Sequence, residues 1–288
     1  MQTQFDRARE DIGNIVHLEH VNLTQPDQGL ATLFYVAGLG GTRDPYLMVG
    51  VDNMWVNLGR SQMHLPTGRP QRLRGTIGLV VPDRGLLLQR LARVAPLLAG
   101  TAFAFEERSD HVAATCPWGN RFRCHAPDAR FGETELAMAY IEFEVPAGTA
   151  QGIAAFYSEI IGAPAQVAGK AGATTATVSV GRDQLLLFRE SPAADPDYDG
   201  HHMQVYFADF SSPYKKLLER GLVSKETDAH EWRFIDIVDP ATNRKLFAIE
   251  HEVRSLKHPL YGRPLVNRNP GQSNRNYQHG QDTFRGSY

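Results

Sequence analysis

The stretch HVNLTQPDQGLATLFYVAGLG (20–40) decides how the whole chain is read. Its alternating start reads as a strand, which gives way to a short helix carrying Phe34-Tyr35 and then to an exit at Gly40. The same plan returns in EFEVPAGTAQGIAAFYSEIIG (142–162), where Glu142 stands as far ahead of Phe156-Tyr157 as His20 does of Phe34-Tyr35. Between and after these copies lie two related units. RGTIGLVVPDRGLLLQRLARV and GHHMQVYFADFSSPYKKLLERGLV each give a strand, an Asp and an amphipathic helix. Both continue into strand-rich sequence with an Asn-Arg turn between two strand runs, DHVAATCPWGNRFRCHAP and EWRFIDIVDPATNRKLFAIEHEV. Internal repetition therefore predicts four β-α-β-β-β modules, at about 15–68, 72–128, 136–192 and 200–253. Two consecutive modules are expected to make each half, giving domains at 15–130 and 136–255 after an N-terminal extension (1–14).

Composition narrows the function. The 288 residues are 42% hydrophobic, enough for two cores, and the formal net charge of -2 supplies no basic field for nucleic acid or anionic membranes. A small-molecule ligand is the expected partner. No stretch reaches the roughly 20 apolar residues of a membrane span, and the N-terminus lacks an apolar signal core. Cys116 and Cys124 are too few for a disulfide framework and suit a reducing cytoplasm. VAGLGG follows a helix instead of opening one, which fails the context of a phosphate loop, and GRSQM and VSVGR lack the setting of a nucleophile elbow. The segment 256–288 is rich in Asn, Gln, Gly and Arg and reads as a flexible tail or an arm lying over a partner.

The opening HV-L, the Phe-Tyr pair and the Leu-Gly exit, repeated with paired βαβββ modules over roughly 15–253, resemble the vicinal oxygen chelate superfamily of glyoxalases, bleomycin-resistance proteins and extradiol dioxygenases. The resemblance implies an α+β fold of two cup-shaped domains and chemistry on a small substrate with two vicinal oxygens, with a divalent metal held by the first and last strands of paired modules. The two-domain, four-module layout is most similar to the extradiol ring-cleavage dioxygenases, with glyoxalase-like isomerases or lyases and non-catalytic binding proteins as alternatives. Fe(II) or Mn(II) is the implied metal, with Zn(II) and Ni(II) also suited to the donors. The resemblance also implies a homo-oligomer.

Carried onto this sequence, the ligand positions of the C-terminal half fall on Glu142, His202 and Glu250, with His201 pointing to the other side and Tyr140 sharing the face of Glu142. A Glu at 142 departs from the two-His, one-Glu set of the dioxygenases. His230, ahead of an Asp-Pro turn, falls where those enzymes carry an acid/base histidine, whereas their tyrosine position falls on Asp236. The N-terminal half offers a rival cluster of His20, His64 and His125, with Thr76 where a further His is expected. Asn53, Trp55, Asn57, Gln62 and His64 alternate toward one face and form a polar and aromatic lining for a cup.

Overall fold

In three of the four modules the first strand leads to a helix whose first turn is capped by an aspartate. The carboxylates of Asp27, Asp83 and Asp209 each accept a hydrogen bond from the backbone N–H three residues on, at Leu30, Leu86 and Ser212. The computed structural model describes residues 6–47, 51–170, 173–192, 197–269 and 274–279. In it the first module comprises β1 (Ile15–Asn22), α1 (Gln28–Ala31) running into a π-helical segment (Thr32–Gly38), β2 (Thr42–Arg43), β3 (Asn53–Leu58) and β4 (Ser61–Pro66). The second has β5 (Gly75–Val80), α2 (Arg84–Val94), β6 (Ala104–Glu107), β7 (Val112–Thr115) and β8 (Arg121–His125). The third has β9 (Ala137–Pro146), α3 (Ala150–Ala155) with a π-helical segment (Phe156–Ile161), β10 (Ala165–Lys170), β11 (Ala173–Ser179) and β12 (Leu185–Ser191). The fourth has β13 (His202–Phe207), α4 (Ser211–Glu219), β14 (Val223–Asp228), β15 (Glu231–Val238) and β16 (Lys245–Ser255). Both Phe-Tyr pairs sit in the π-helical segments and are fully buried.

The pairing of modules differs from the consecutive halves expected of the sequence. One eight-stranded sheet runs β14-β15-β16-β13-β1-β4-β3-β2 and the other β10-β11-β12-β9-β5-β8-β7-β6. Modules one and four thus share a sheet, and modules two and three share the other. The reason lies in the helices, through which consecutive modules meet. Gly38 leaves room for Leu91 and Val94 of α2, and Arg90 donates to the carbonyls of Gly38 and Leu39. Lys216 of α4 likewise donates to the carbonyl of Glu159. The strand edges of module one are left for module four, and β1 pairs antiparallel with β13, setting Asn22 opposite His202 and His20 opposite Gln204.

The second seam, between β5 and β9, allows very close approach. A Cβ on Gly75 would lie 1.8 Å from the carbonyl oxygen of Glu142. Gly75→Ala is therefore expected to force the seam apart and cost about 1–3 kcal/mol by overpacking, read as a lower urea midpoint at unchanged slope. An unchanged midpoint would contradict this packing.

Alternation on β16 separates two faces. His251 points into the core, where its Nε2 lies 2.7 Å from the Tyr157 hydroxyl and its ring stacks on Phe234, while Glu250, Glu252 and Arg254 face the cup. Among the described residues no helix is long and apolar enough to cross a membrane.

Candidate metal centre

The seam of modules one and four gathers His20 from β1, His64 from β4 and His202 from β13, whose ligand atoms lie within 4.8 Å of one another. Glu252 of β16 joins them, its Oε2 3.3 Å from His202 Nε2. Strand register explains the set. In module one His20 pairs with Gln62 and His64 lies two residues on; in module four His202 pairs with Glu250 and Glu252 lies two residues on. Two equivalent halves each supply one residue from the first strand and one from the last.

Each donor has a partner behind it. His20 Nδ1 is 3.3 Å from Glu19 Oε2, and His202 Nδ1 is 3.4 Å from Glu250 Oε2. Both rings leave Nε2 buried without a hydrogen bond. His64 uses Nε2 on Asn53 Oδ1 at 2.7 Å and stacks at 3.8 Å on Trp55, which also meets His20 edge-on. Carboxylate or amide contacts behind imidazoles fix ring orientation and leave the other nitrogen for an ion. Burial holds His20 well below the usual histidine range, and burial together with the neighbouring His20 and His202 lowers His64 to about 2, so both are neutral, the form that coordinates.

Glu252 is held in the opposite sense. Burial alone would raise its pKa, but His202, His20, Arg254 and Arg233 outweigh it and hold the carboxylate well below its ordinary value. Arg233 Nη2 lies 2.5 Å from its Oε2 and Arg254 Nη2 lies 2.6 Å from its Oε1. The surrounding charges are Glu19, Glu231, Glu250 and Glu252 against Arg233 and Arg254, a formal -2 beside the imidazoles. A divalent cation would balance that charge. The orphaned Nε2 atoms, the supported rings and this charge excess fit such an ion.

The residues singled out in the sequence are distributed over both cups. His20, His64 and His202, drawn from two separate expected clusters, come together here. Glu142 does not join His202: it lies on the other sheet, where Arg123 and Arg189 hold its two oxygens at 3.2 and 3.4 Å. His125 also lies on that sheet, with Nε2 2.9 Å from the Tyr140 hydroxyl. Thr76 sits opposite Glu142 on the β5–β9 seam, in place of a ligand. Glu250 supports His202 from behind and also meets Arg233. His230 occupies the β14–β15 turn, with Nδ1 3.5 Å from Ser255 Oγ, and Ser255 alternates onto the face opposite Glu252. His201 turns away to Asp199, 2.6 Å from its Nδ1. Asn53, Trp55 and Gln62 lie on the cup side of the first sheet, and Asp236 pairs with Lys245. Glu19, Arg233, Glu252 and Arg254 are the residues that sequence reasoning missed. For the last three the signal is charge at every second position of strands that otherwise read as apolar, Glu231-Arg233 and Glu250-Glu252-Arg254.

Part of the polar C-terminal segment is a strap over this same cup. Arg263 Nη2 bonds buried Asp44 at 2.9 Å, Asn267 both donates to Gly59 O and accepts from Gly59 N, and Asn57 donates to Val266 O. Tyr261 packs edge-on at 4.8 Å against Tyr206. Residues 270–273 and 280–288 of the segment lie outside the described residues. Desolvation raises the Asp44 carboxyl, yet the bonds from Arg263, Tyr46 N–H and Leu47 N–H prevail and its pKa lies below the usual value. A depressed carboxyl contributes stability above its unfolded pKa of about 3.9 and loses it as pH falls through the folded value. Hydrogen-exchange protection of 261–268 should hold from neutral pH down to about 4 and fall away below it. In Arg263→Ala protection should be weak throughout; full protection in that variant would contradict the anchoring.

With this geometry the fold is that of the vicinal oxygen chelate superfamily. Solved structures similar to it include glyoxalase I from Zea mays, at 11% identity and TM-score 0.58 over 87% of this chain and 95% of that one. Another is a Bacillus subtilis subsp. subtilis str. 168 protein named "putative dioxygenase", at 13% identity and TM-score 0.56 over 88% of this chain and 92% of that one. No protein-family model and no curated protein matches the sequence.

Proposed function

We propose that the chain is a metal-dependent enzyme acting on a small substrate with two vicinal oxygens, by proton transfer of the isomerase or lyase kind. The convergence of His20, His64, His202 and Glu252 carries this reading. These four would hold a divalent ion such as Fe(II), Mn(II), Zn(II) or Ni(II), which when bound supplies Lewis-acid polarisation of the substrate oxygens. Two His and one carboxylate, with open positions, is the donor set of non-haem iron oxygenases. Here His64 would add a third imidazole to that donor set, and this departure from the oxygenase set favours proton transfer over ring cleavage.

The remaining roles fall to the protein. Arg233 and Arg254 keep Glu252 ionised, and Trp55 fixes the plane of His64. The strap from Tyr261 to Arg268 excludes water from the Gln62 and Asn57 side of the cup. Glu250, whose side chain is the most open of the four acids at 19%, moves the substrate proton at Oε2. Cys116 and Cys124 are both free thiols, in keeping with a cytoplasmic enzyme.

The test is deuterium exchange by NMR, with hydroxyacetone as a vicinal-oxygen probe and metal-loaded protein in D2O. Exchange at the carbon next to the oxygens is expected, falling roughly 10²–10⁴-fold in Glu250→Gln assayed at saturating metal, where weaker binding of the ion does not limit the rate. Oxygen uptake with catechol and no exchange would replace this reading by a ring-cleaving one. Neither activity would leave a binding protein.

A further inference from the structure

The second cup repeats the framework of the first with different side chains. Thr76 and Glu142 stand on the first strands of their modules as His20 and His202 do, seven residues before Asp83 and Thr149 as His20 precedes Asp27. Thr76 pairs with Arg121 and Glu142 with Leu187, so the positions two residues on, matching His64 and Glu252, are Arg123 and Arg189. The metal quartet of the first cup is thus replaced by Thr76, Arg123, Glu142 and Arg189. No imidazole remains among them.

The charge balance is reversed as well. Glu142 lies between Arg123 and Arg189, and Glu144 between Arg189 and Arg121, at 2.9–3.4 Å. Three guanidiniums face two carboxylates, an excess of one positive charge where the first cup carries a formal -2. Over Arg123 opens a cavity of about 1070 Å³, walled by His125 and Tyr140 and lined on its apolar side by Phe131, Leu185 and Leu187. At the rim, Arg130 and Arg182 are already matched by Asp110 and by Glu133. Glu10, Asp11 and Asp183 line the cavity too, so its wall as a whole is acidic, and the guanidinium it offers beside aromatic and aliphatic surface is Arg123, which Glu142 holds through both oxygens.

We propose that the cup of modules two and three is a metal-independent binding site for a small organic carboxylate with an apolar body, its carboxylate held by Arg123. A guanidinium offers a planar pair of donors matched to a carboxylate. Tyr140, Phe131 and Leu187 take the body, in the usual manner of a largely apolar pocket with a few placed polar groups. Glu142 competes with the ligand for Arg123 and sets its affinity.

Calorimetric titration of the full chain with benzoate, against the neutral isostere benzamide, tests this. Saturable binding of benzoate alone is expected, weakened at least tenfold in Arg123→Gln, strengthened in Glu142→Gln, and unchanged in His202→Ala or after chelation of metal. Equal binding of benzamide, no saturable binding, or loss of binding in His202→Ala would overturn the proposal, the last by placing the ligand in the first cup. Should Arg123→Gln fail to fold, Glu142→Gln and the benzoate–benzamide comparison in the wild type decide. Because the first cup is read by metal content, a failure there is distinguishable from a failure here.

Discussion

His202→Ala and His20→Ala are each expected to strip the protein of its divalent ion, from about one equivalent to less than roughly a tenth by elemental analysis. The two residues lie at opposite ends of the sequence, yet His20 and His202 contribute to one cluster because β1 and β13 are neighbours. His20 presents a buried Nε2 without a hydrogen bond and His202 an Nε2 that faces Glu252 Oε2 at 3.3 Å, the two rings backed by Glu19 and Glu250. Removing either deletes a donor from a site too buried for water to replace it well. Glu142→Ala and His125→Ala, on the other sheet, should leave the metal in place. Removal of a supporting group is milder: Glu19→Gln should weaken metal binding about 10–100-fold, the usual effect of losing a contact behind a ligand.

Arg254→Met is expected to destabilise the fold by about 3–5 kcal/mol, because it leaves buried carboxylates without their cation. Arg254 is 8% exposed and reaches Glu252 at 2.6 Å, Glu231 at 3.3 Å and Glu19 at 3.6 Å. With Met at 254, Arg233 still meets Glu231 and Glu252, while Glu19 keeps, of the arginines, only the weaker influence of Arg263. The crowded acids would then hold protons more tightly in the folded than in the unfolded state. Folded-state pKa values raised in this way add stability as pH falls, so part of the loss should return on acidification from pH 7 toward 5. Urea unfolding at the two pH values reads both effects. A variant as stable as the wild type at pH 7 would show that the charge network does not need its arginine.

The repeats were legible because two spacings survive in them: the Phe-Tyr pair ahead of a glycine, and an Asp seven residues after the first-strand ligand position. Those spacings put His20 and His202 at equivalent positions of their own modules. Which modules share a sheet is decided elsewhere, in the contact of α2 with the π-helical exit at Gly38, a packing that no single-module pattern records. The expected sets of Glu142 with His202, and of His125 with His20, followed from pairing consecutive modules. Glu250 and Glu252 share one face of β16, so alternation cannot choose between them; the register with β13, Arg233 on β15 and Arg254 on β16 make the choice. The polar tail concealed its role because its composition resembles disordered sequence, while Arg263 and Asn267 make specific bonds to partners far away in the chain.

Anomalous diffraction from crystals soaked in Zn(II) addresses the metal centre most directly. A single strong peak between His20, His64, His202 and Glu252, with none beside Glu142, is the predicted result. A peak instead at Asp110, His111 and His125, the other group of donors close enough to share an ion among the described residues, or none at saturating zinc, would contradict it.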